Sequence, residues 1–179
     1  LKLSIKEFER EQLKHQRLSK TASAGKFKSG LTDHSEATKK LHTATHLLLA
    51  ALKKILKDNS IHQKGSNITA ESLRFDFNFP RKLNEEELKE IEKEINSNIK
   101  KSYPVIREEI PLEEAKKIGA TGTFEHKYGE IVSVYSISNF SKEICTGPHI
   151  SNTNELNKFK IIKEEASSAG VRRIKAVLK

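Results

Sequence analysis

Cysteine is nearly absent: Cys145 is the only one in 179 residues. No disulfide can close within the chain, and a reducing compartment is expected. Methionine is missing altogether and the first residue is Leu1, so we expect a piece of a longer protein with a further domain in the same polypeptide. No apolar run approaches the roughly 20 residues that a membrane-spanning helix requires, and no secretory signal pattern is present. These absences lead us to expect a cytoplasmic protein with no membrane partner. Four prolines, eight glycines and 35% hydrophobic residues fit one globular domain on the polar side, with a short appendage and a core of its own. Acidic residues are outnumbered, leaving a net charge of +9. Such an excess favours an anionic partner, nucleic acid first. The plainer reading is a solvated surface, because Lys far outnumbers Arg and much of it alternates with Glu.

Residues 1–20 are strongly charged, with Leu1, Ile5, Phe8 and Leu18 at roughly helical spacing, which predicts a solvated or domain-linking helix. Small residues from Thr21 break it, and a linker runs to His34. A long helix follows from a Ser35 cap to about Lys57. Its stripe of Leu41, Ala44, Leu48, Ala51, Leu52 and Ile55 packs on a core, and His42 and His46 border that stripe without entering it. Ile61 to Asn67 reads as a polar turn around Gly65. Leu73 to Phe79 alternates cleanly and predicts a strand. Asn84 with Glu87 three residues later caps a second helix through Ile99. Tyr103–Ile110 reads as an edge strand because of Pro104. Pro111 stands at the first turn of a short helix ended by Gly119, and Ile131–Ile137 is a further strand. Two last strands, 159–162 and 172–177, are joined through a turn at 167–170. With no steady βαβ rhythm, the order favours a two-layer α+β fold, a mostly antiparallel sheet packed with helices and preceded by the linker helix.

The chemistry lies in two matched spacings. His42 and His46 are four apart on a helix and point the same way. Cys145 and His149 are again four apart, in the loop Cys-Thr-Gly-Pro-His. Together they use the chain's one thiol and three of its seven histidines, and three imidazoles with a thiolate make a tetrahedral set suited to one Zn2+. A zinc-protease reading fails, because Thr43 stands where that motif needs a glutamate base. His15, His34, His62 and His126 are scattered and are expected to be surface or packing residues.

The runs HTATHLL at 42–48, QKGS at 63–66, RFDF at 74–77, CTGPH at 145–149 and AGVRRIKAV at 169–177 together resemble the editing domain of alanyl-tRNA synthetase, in the same order from about Leu41 to Val177. Residues 1–20 resemble the segment that precedes it. The resemblance implies domains at 1–34 (helix and linker) and 35–179 (zinc-binding editing domain). It also implies hydrolysis of serine or glycine esters wrongly attached to the alanine tRNA, with tRNA as partner. An aminoacylation domain would lie elsewhere in the full-length chain, and ATP would be used only there. Carried over by motif, His42, His46, Cys145 and His149 would hold zinc, Thr45, Gln63 and Ser66 would line the amino-acid pocket, and Asp76 would back it. Lys64, Arg172, Arg173 and Lys175 are candidates for tRNA phosphates. For Arg172 and Arg173 the alternative is an outward strand face paired with Glu.

The family's loop is usually Cys-Gly-Gly-Thr-His. Here Thr146, Gly147 and Pro148 intervene, so Thr146 occupies a spot that touches the substrate pocket and Pro148 stiffens the loop. A Gly-Pro-His ending resembles instead the related threonyl-tRNA synthetase editing domain, which leaves editing of serine on threonine tRNA as an alternative. A zinc-stapled tRNA-binding module without catalysis is the other. The ending GVRRI favours the alanyl type.

Overall fold

The computed structural model describes residues 31–33, 35–122 and 128–179. The linker helix expected over 1–20, with His15, His34 and His126, lies outside them. The elements are α1 (Glu36–Leu56), β1 (Gln63–Ile68), β2 (Leu73–Asn78), α2 (Glu85–Lys100), β3 (Val105–Pro111), α3 (Leu112–Lys117), β4 (Thr121–Gly122), β5 (Ile131–Ile137), β6 (Ser141–Ile144), a 3-10 turn (Thr153–Leu156), β7 (Phe159–Ser168) and β8 (Val171–Leu178). They build two four-stranded sheets, ordered β1-β2-β8-β7 and β3-β5-β6-β4. All pairings are antiparallel except the short β4 against β6. The α+β expectation therefore holds. Among the described residues no helix is long and apolar enough to cross a membrane.

Local chemistry sets the element ends. The Ser35 side chain accepts from Thr38 N–H at the start of α1. At α2 both halves of the Asn84–Glu87 capping box are made, at 2.7 and 2.8 Å. Gly170 (φ +68°) supplies the turn that closes the β7–β8 hairpin. Phe75 and Phe77 of β2 and Ile174 and Ala176 of β8 are fully buried with Leu47, Leu48 and Leu52 of α1 and Ile91 and Ile95 of α2 in one core. A smaller cluster of Ala115, Val132, Val134 and Ile144 belongs to the second sheet.

Two expectations are corrected here. The stretch read as a polar turn at 61–67 is mostly strand β1, paired to β2 with an irregular register between Gln63 and Gly65. It is an edge strand whose one buried side chain is Ile68, so it carries no apolar alternation to read. The second concerns α1. It is buried without a break from Leu41 to Leu49, and His42 and His46 are only 6% and 4% exposed. A helical wheel assumes one buried face, whereas α1 packs on α2 and the first sheet on one side and on β6 on the other. Both histidines are thus inside.

The chain after residue 149 is held by Thr153, fully buried, whose hydroxyl accepts from Tyr103 N–H at 2.9 Å and donates to Asn98 C=O at 3.0 Å. We expect Thr153→Val, of nearly equal shape, to lower stability by about 1–3 kcal/mol, because it strands a buried backbone N–H. Urea unfolding would show this; a change under about 0.5 kcal/mol would mean that Tyr103 finds another partner.

Candidate metal centre

Two segments far apart in sequence meet at the N-terminal half of α1. One turn of helix separates His42 from His46 and sets their rings edge to face, centroids 5.4 Å apart. From the second sheet, β6 ends at Ile144 and the chain folds back over the helix. Cys145 N–H donates to Ser133 C=O of β5 at 3.0 Å, fixing where the loop departs. His149 then stacks on His42, with centroids 4.2 Å apart and planes 21° from parallel. The Tyr135 ring backs it at 4.2 Å.

Hydrogen bonds decide which nitrogens are bare. His42 Nδ1 lies 3.1 Å from Pro148 C=O. A carbonyl only accepts, so the proton sits on Nδ1 and the lone pair on Nε2. That Nε2 is 3.5 Å from Cys145 Sγ. Thr43 Oγ1 donates to Lys39 C=O at 3.1 Å. It can therefore only accept from His149 Nδ1 at 3.0 Å and from Ile150 N–H at 3.3 Å. His149 Nε2 is left buried without a partner, as is His46 Nδ1. One ligand atom from each of His42, His46, Cys145 and His149 falls within 4.8 Å of the others. Tetrahedral zinc with bonds of about 2.0–2.3 Å would bring such atoms to about 3.3–3.8 Å. Their chemistry and orphaned nitrogens fit that ion.

Burial governs the protons. It lowers His42 to about 3, helped by His46 and opposed by the Pro148 hydrogen bond. His46 falls to about 3 by burial. His149 is lowered further, by burial and then by its two neighbours. All three are neutral donors at neutral pH. The Cys145 thiol is pushed up to about 12, chiefly by burial, so it is protonated until a cation displaces the proton.

Glu143 is the residue sequence reasoning missed. Its Oε2 is 3.7 Å from His46 Nε2 and Ser141 Oγ donates to Oε1 at 3.2 Å. Burial pushes its carboxyl up to about 7 despite that hydrogen bond and the charge of Lys53. A signal existed: on a strand running into Cys145, the residue two before it shares its face.

The remaining expected residues separate into groups. Thr45 is buried and its hydroxyl donates to His42 C=O at 2.6 Å. Gln63 and Ser66 sit opposite Phe77 and Phe75 in the β1–β2 register, which puts them on the sheet face that α1 covers. Gln63 Nε2 donates to Ser66 Oγ at 3.1 Å. Asp76 sits between the two phenylalanines, so its side chain takes the other face. There Arg173 grips it with two bonds of 2.7 and 2.9 Å. Arg172 pairs with Glu164 at 2.5 Å, the glutamate partner considered for it, but with side chains 12% and 1% exposed the pair is not on an outward face. Lys64, Thr146 and Lys175 are exposed, and His62 is exposed as expected.

Comparison with known proteins adds the family. A family model described as the threonyl and alanyl tRNA synthetase second additional domain matches residues 132–175, from β5 into β8. The alanine–tRNA ligase of Treponema denticola is 53% identical over 178 residues, covering 99% of this chain and 30% of that protein. That of Borreliella burgdorferi is 52% identical over 165 residues (92% and 28%). That of Nostoc punctiforme is 51% identical over 136 residues (76% and 15%). The chain thus spans less than a third of the curated relatives it matches. With the family match falling on the strands and loop that carry Cys145 and His149, and about half of all residues shared along nearly its whole length, the chain belongs to the editing region of the alanyl-tRNA synthetase family.

Proposed function

We propose that residues 35–179 form a zinc-dependent editing domain that hydrolyses serine or glycine esters wrongly joined to alanine tRNA, and that 1–34 lead in from a preceding domain. The carrying observation is the convergence of three imidazoles and one thiol from α1 and the 145–149 loop, with buried nitrogens of His46 and His149 left without a partner. His42, His46, Cys145 and His149 would hold one Zn2+, which when bound supplies positive charge and Lewis acidity beside the ester. The aminoacylation domain, ATP use and a cytoplasmic setting belong in this reading to the full-length synthetase.

The chain's own groups do the rest. An aminoacyl ester is already reactive, so positioning of water and of the carbonyl suffices. Glu143, beside His46, is placed to take a proton from that water. The Gln63–Ser66 pair and Thr45 serve the amino-acid pocket: polar groups satisfied by a serine hydroxyl are left unpaired by alanine. Exposed Thr146 edges the same loop. Lys64 and Lys175, with Arg172 and Arg173 beyond their ion pairs, would meet tRNA phosphates. The Gly147-Pro148-His149 ending keeps threonine tRNA as the second substrate to assay.

Three outcomes test this reading. Above pH 8 the three histidines are neutral and Glu143, at about 7, has lost its proton, while the thiol, with a pKa of about 12, still carries its own. Zinc affinity should therefore rise about tenfold per pH unit, with about one proton released per ion. Calorimetric titration in buffers of different ionisation enthalpy reads this; a pH-independent affinity would remove the thiolate from the site. Zinc-loaded protein should release serine from mischarged alanine tRNA, and Cys145→Ala should abolish that release. Gln63→Ala should narrow the preference for seryl over alanyl esters by roughly tenfold. Binding of both tRNAs with cleavage of neither would establish a non-catalytic module.

A further inference from the structure

His42 and His46 are carried by a helix, whereas His149 ends a loop, after Gly147 and Pro148, and its ring is oriented by what surrounds it. Its Nδ1 donates to Thr43 Oγ1 at 3.0 Å. Such a bond fixes one point of the ring and leaves its plane free to tilt. Three other rings crowd that plane, with centroids at 4.2 Å for His42, 4.3 Å for His46 and 4.2 Å for Tyr135. Of these three, Tyr135 alone is not a ligand candidate. It sits on β5, between β3 and β6, and is 9% exposed. The register aligns it with Arg107 of β3 and Glu143 of β6, so the three side chains share one sheet face. Arg107 is itself anchored, donating to Ser133 Oγ at 2.9 Å and to Glu109 at 2.5 Å. Burial pushes the Tyr135 phenol above its ordinary value, and Arg107 opposes this by its charge and by a side-chain hydrogen bond. At the other end of the row, Glu143 reaches within 3.7 Å of His46. One row of the second sheet thus addresses two of the three imidazoles, the helix-borne His46 through Glu143 and the loop-borne His149 through Tyr135.

We infer that Tyr135 is a positioning residue for the loop-borne ligand: its ring, steadied at the hydroxyl end by Arg107, sets the plane of His149 and with it the direction in which Nε2 meets the metal. The inference rests on the zinc reading of the cluster and adds to it a residue outside the four ligands. It also gives a reason for a ring with a polar tip at this nearly closed position. An aliphatic side chain there would be buried as well, but it has no flat face to set against an imidazole and no hydroxyl for Arg107 to hold.

Cobalt is the probe, because its visible absorption reports the number and geometry of its ligands. Titrated into the full chain, it should give the intense bands of a four-coordinate site together with thiolate charge transfer. Tyr135→Leu, apolar but without a ring, should weaken cobalt binding by about tenfold or more, as loss of a metal-bound histidine's outer support does. Its visible bands should shift as water replaces His149, while the charge-transfer band of Cys145 stays. Tyr135→Phe, which keeps the ring, should restore the bands and bind within about threefold of the unmodified chain. A merely structural role would lower the unfolding midpoint and leave the bands alone. Unchanged bands and affinity in the Leu variant overturn the inference, and so does a Phe variant as weak as the Leu one. Should the Leu variant not fold, proton Overhauser contacts between the Tyr135 and His149 rings of the unmodified, zinc-loaded chain decide: they are expected, and their absence overturns the inference. A chain that takes up no cobalt would overturn the zinc reading instead, and the same ring contacts in the metal-free chain would still decide whether Tyr135 orients His149.

Discussion

The Thr43 hydroxyl connects the two segments on which the site depends. It gives its proton to the Lys39 carbonyl of its own helix and accepts from both His149 and Ile150 of the crossing loop. Where a metalloprotease helix would carry a catalytic glutamate, this helix carries a clasp. The loop is fixed at further points, by Cys145 N–H on β5, by Pro148 C=O on His42 and, beyond it, by Thr153 between Tyr103 and Asn98. A ligand set drawn from residues about a hundred positions apart needs such bracing, since each ring must be oriented by the hydrogen bond at its other nitrogen.

One cause, removal from water, governs the charges at the centre. It strips protons from three histidines, keeps one on the thiol and raises Glu143 to about 7. Without a cation the cluster is close to neutral, which is how it can be buried against an apolar core. A doubly charged ion would convert that neutrality into a polarised, partly enclosed site next to a carboxylate. The same burial gives the electrostatics their strength, because water is not present to screen them.

Much of this was legible in the chain. Regular spacing announced α1, α2, β2 and the closing hairpin, and the two four-residue intervals named the residues that cluster. What stayed hidden had physical reasons. β1 is a polar edge strand with a register irregularity, so no alternation betrayed it. The four-residue β6 was too short and too charged to register, and with it went Glu143. The burial of His42 and His46 could not be read from a helical wheel, because a wheel does not know that a second sheet covers the helix's other side. Asp76 is expected to back the amino-acid pocket from β2. Its side chain faces away from α1 and is taken up by Arg173, a pairing across chain-distant strands that no local pattern encodes.

The most direct test of the convergence is the coordination shell of bound metal. X-ray absorption at the zinc edge of the loaded chain should show three nitrogen ligands at about 2.0–2.1 Å and one sulfur at about 2.3 Å. Cys145→Ala should remove the sulfur and leave the nitrogens. A shell of oxygen and nitrogen alone in the unmodified chain, or one with two or more sulfurs supplied by neighbouring molecules, would contradict it.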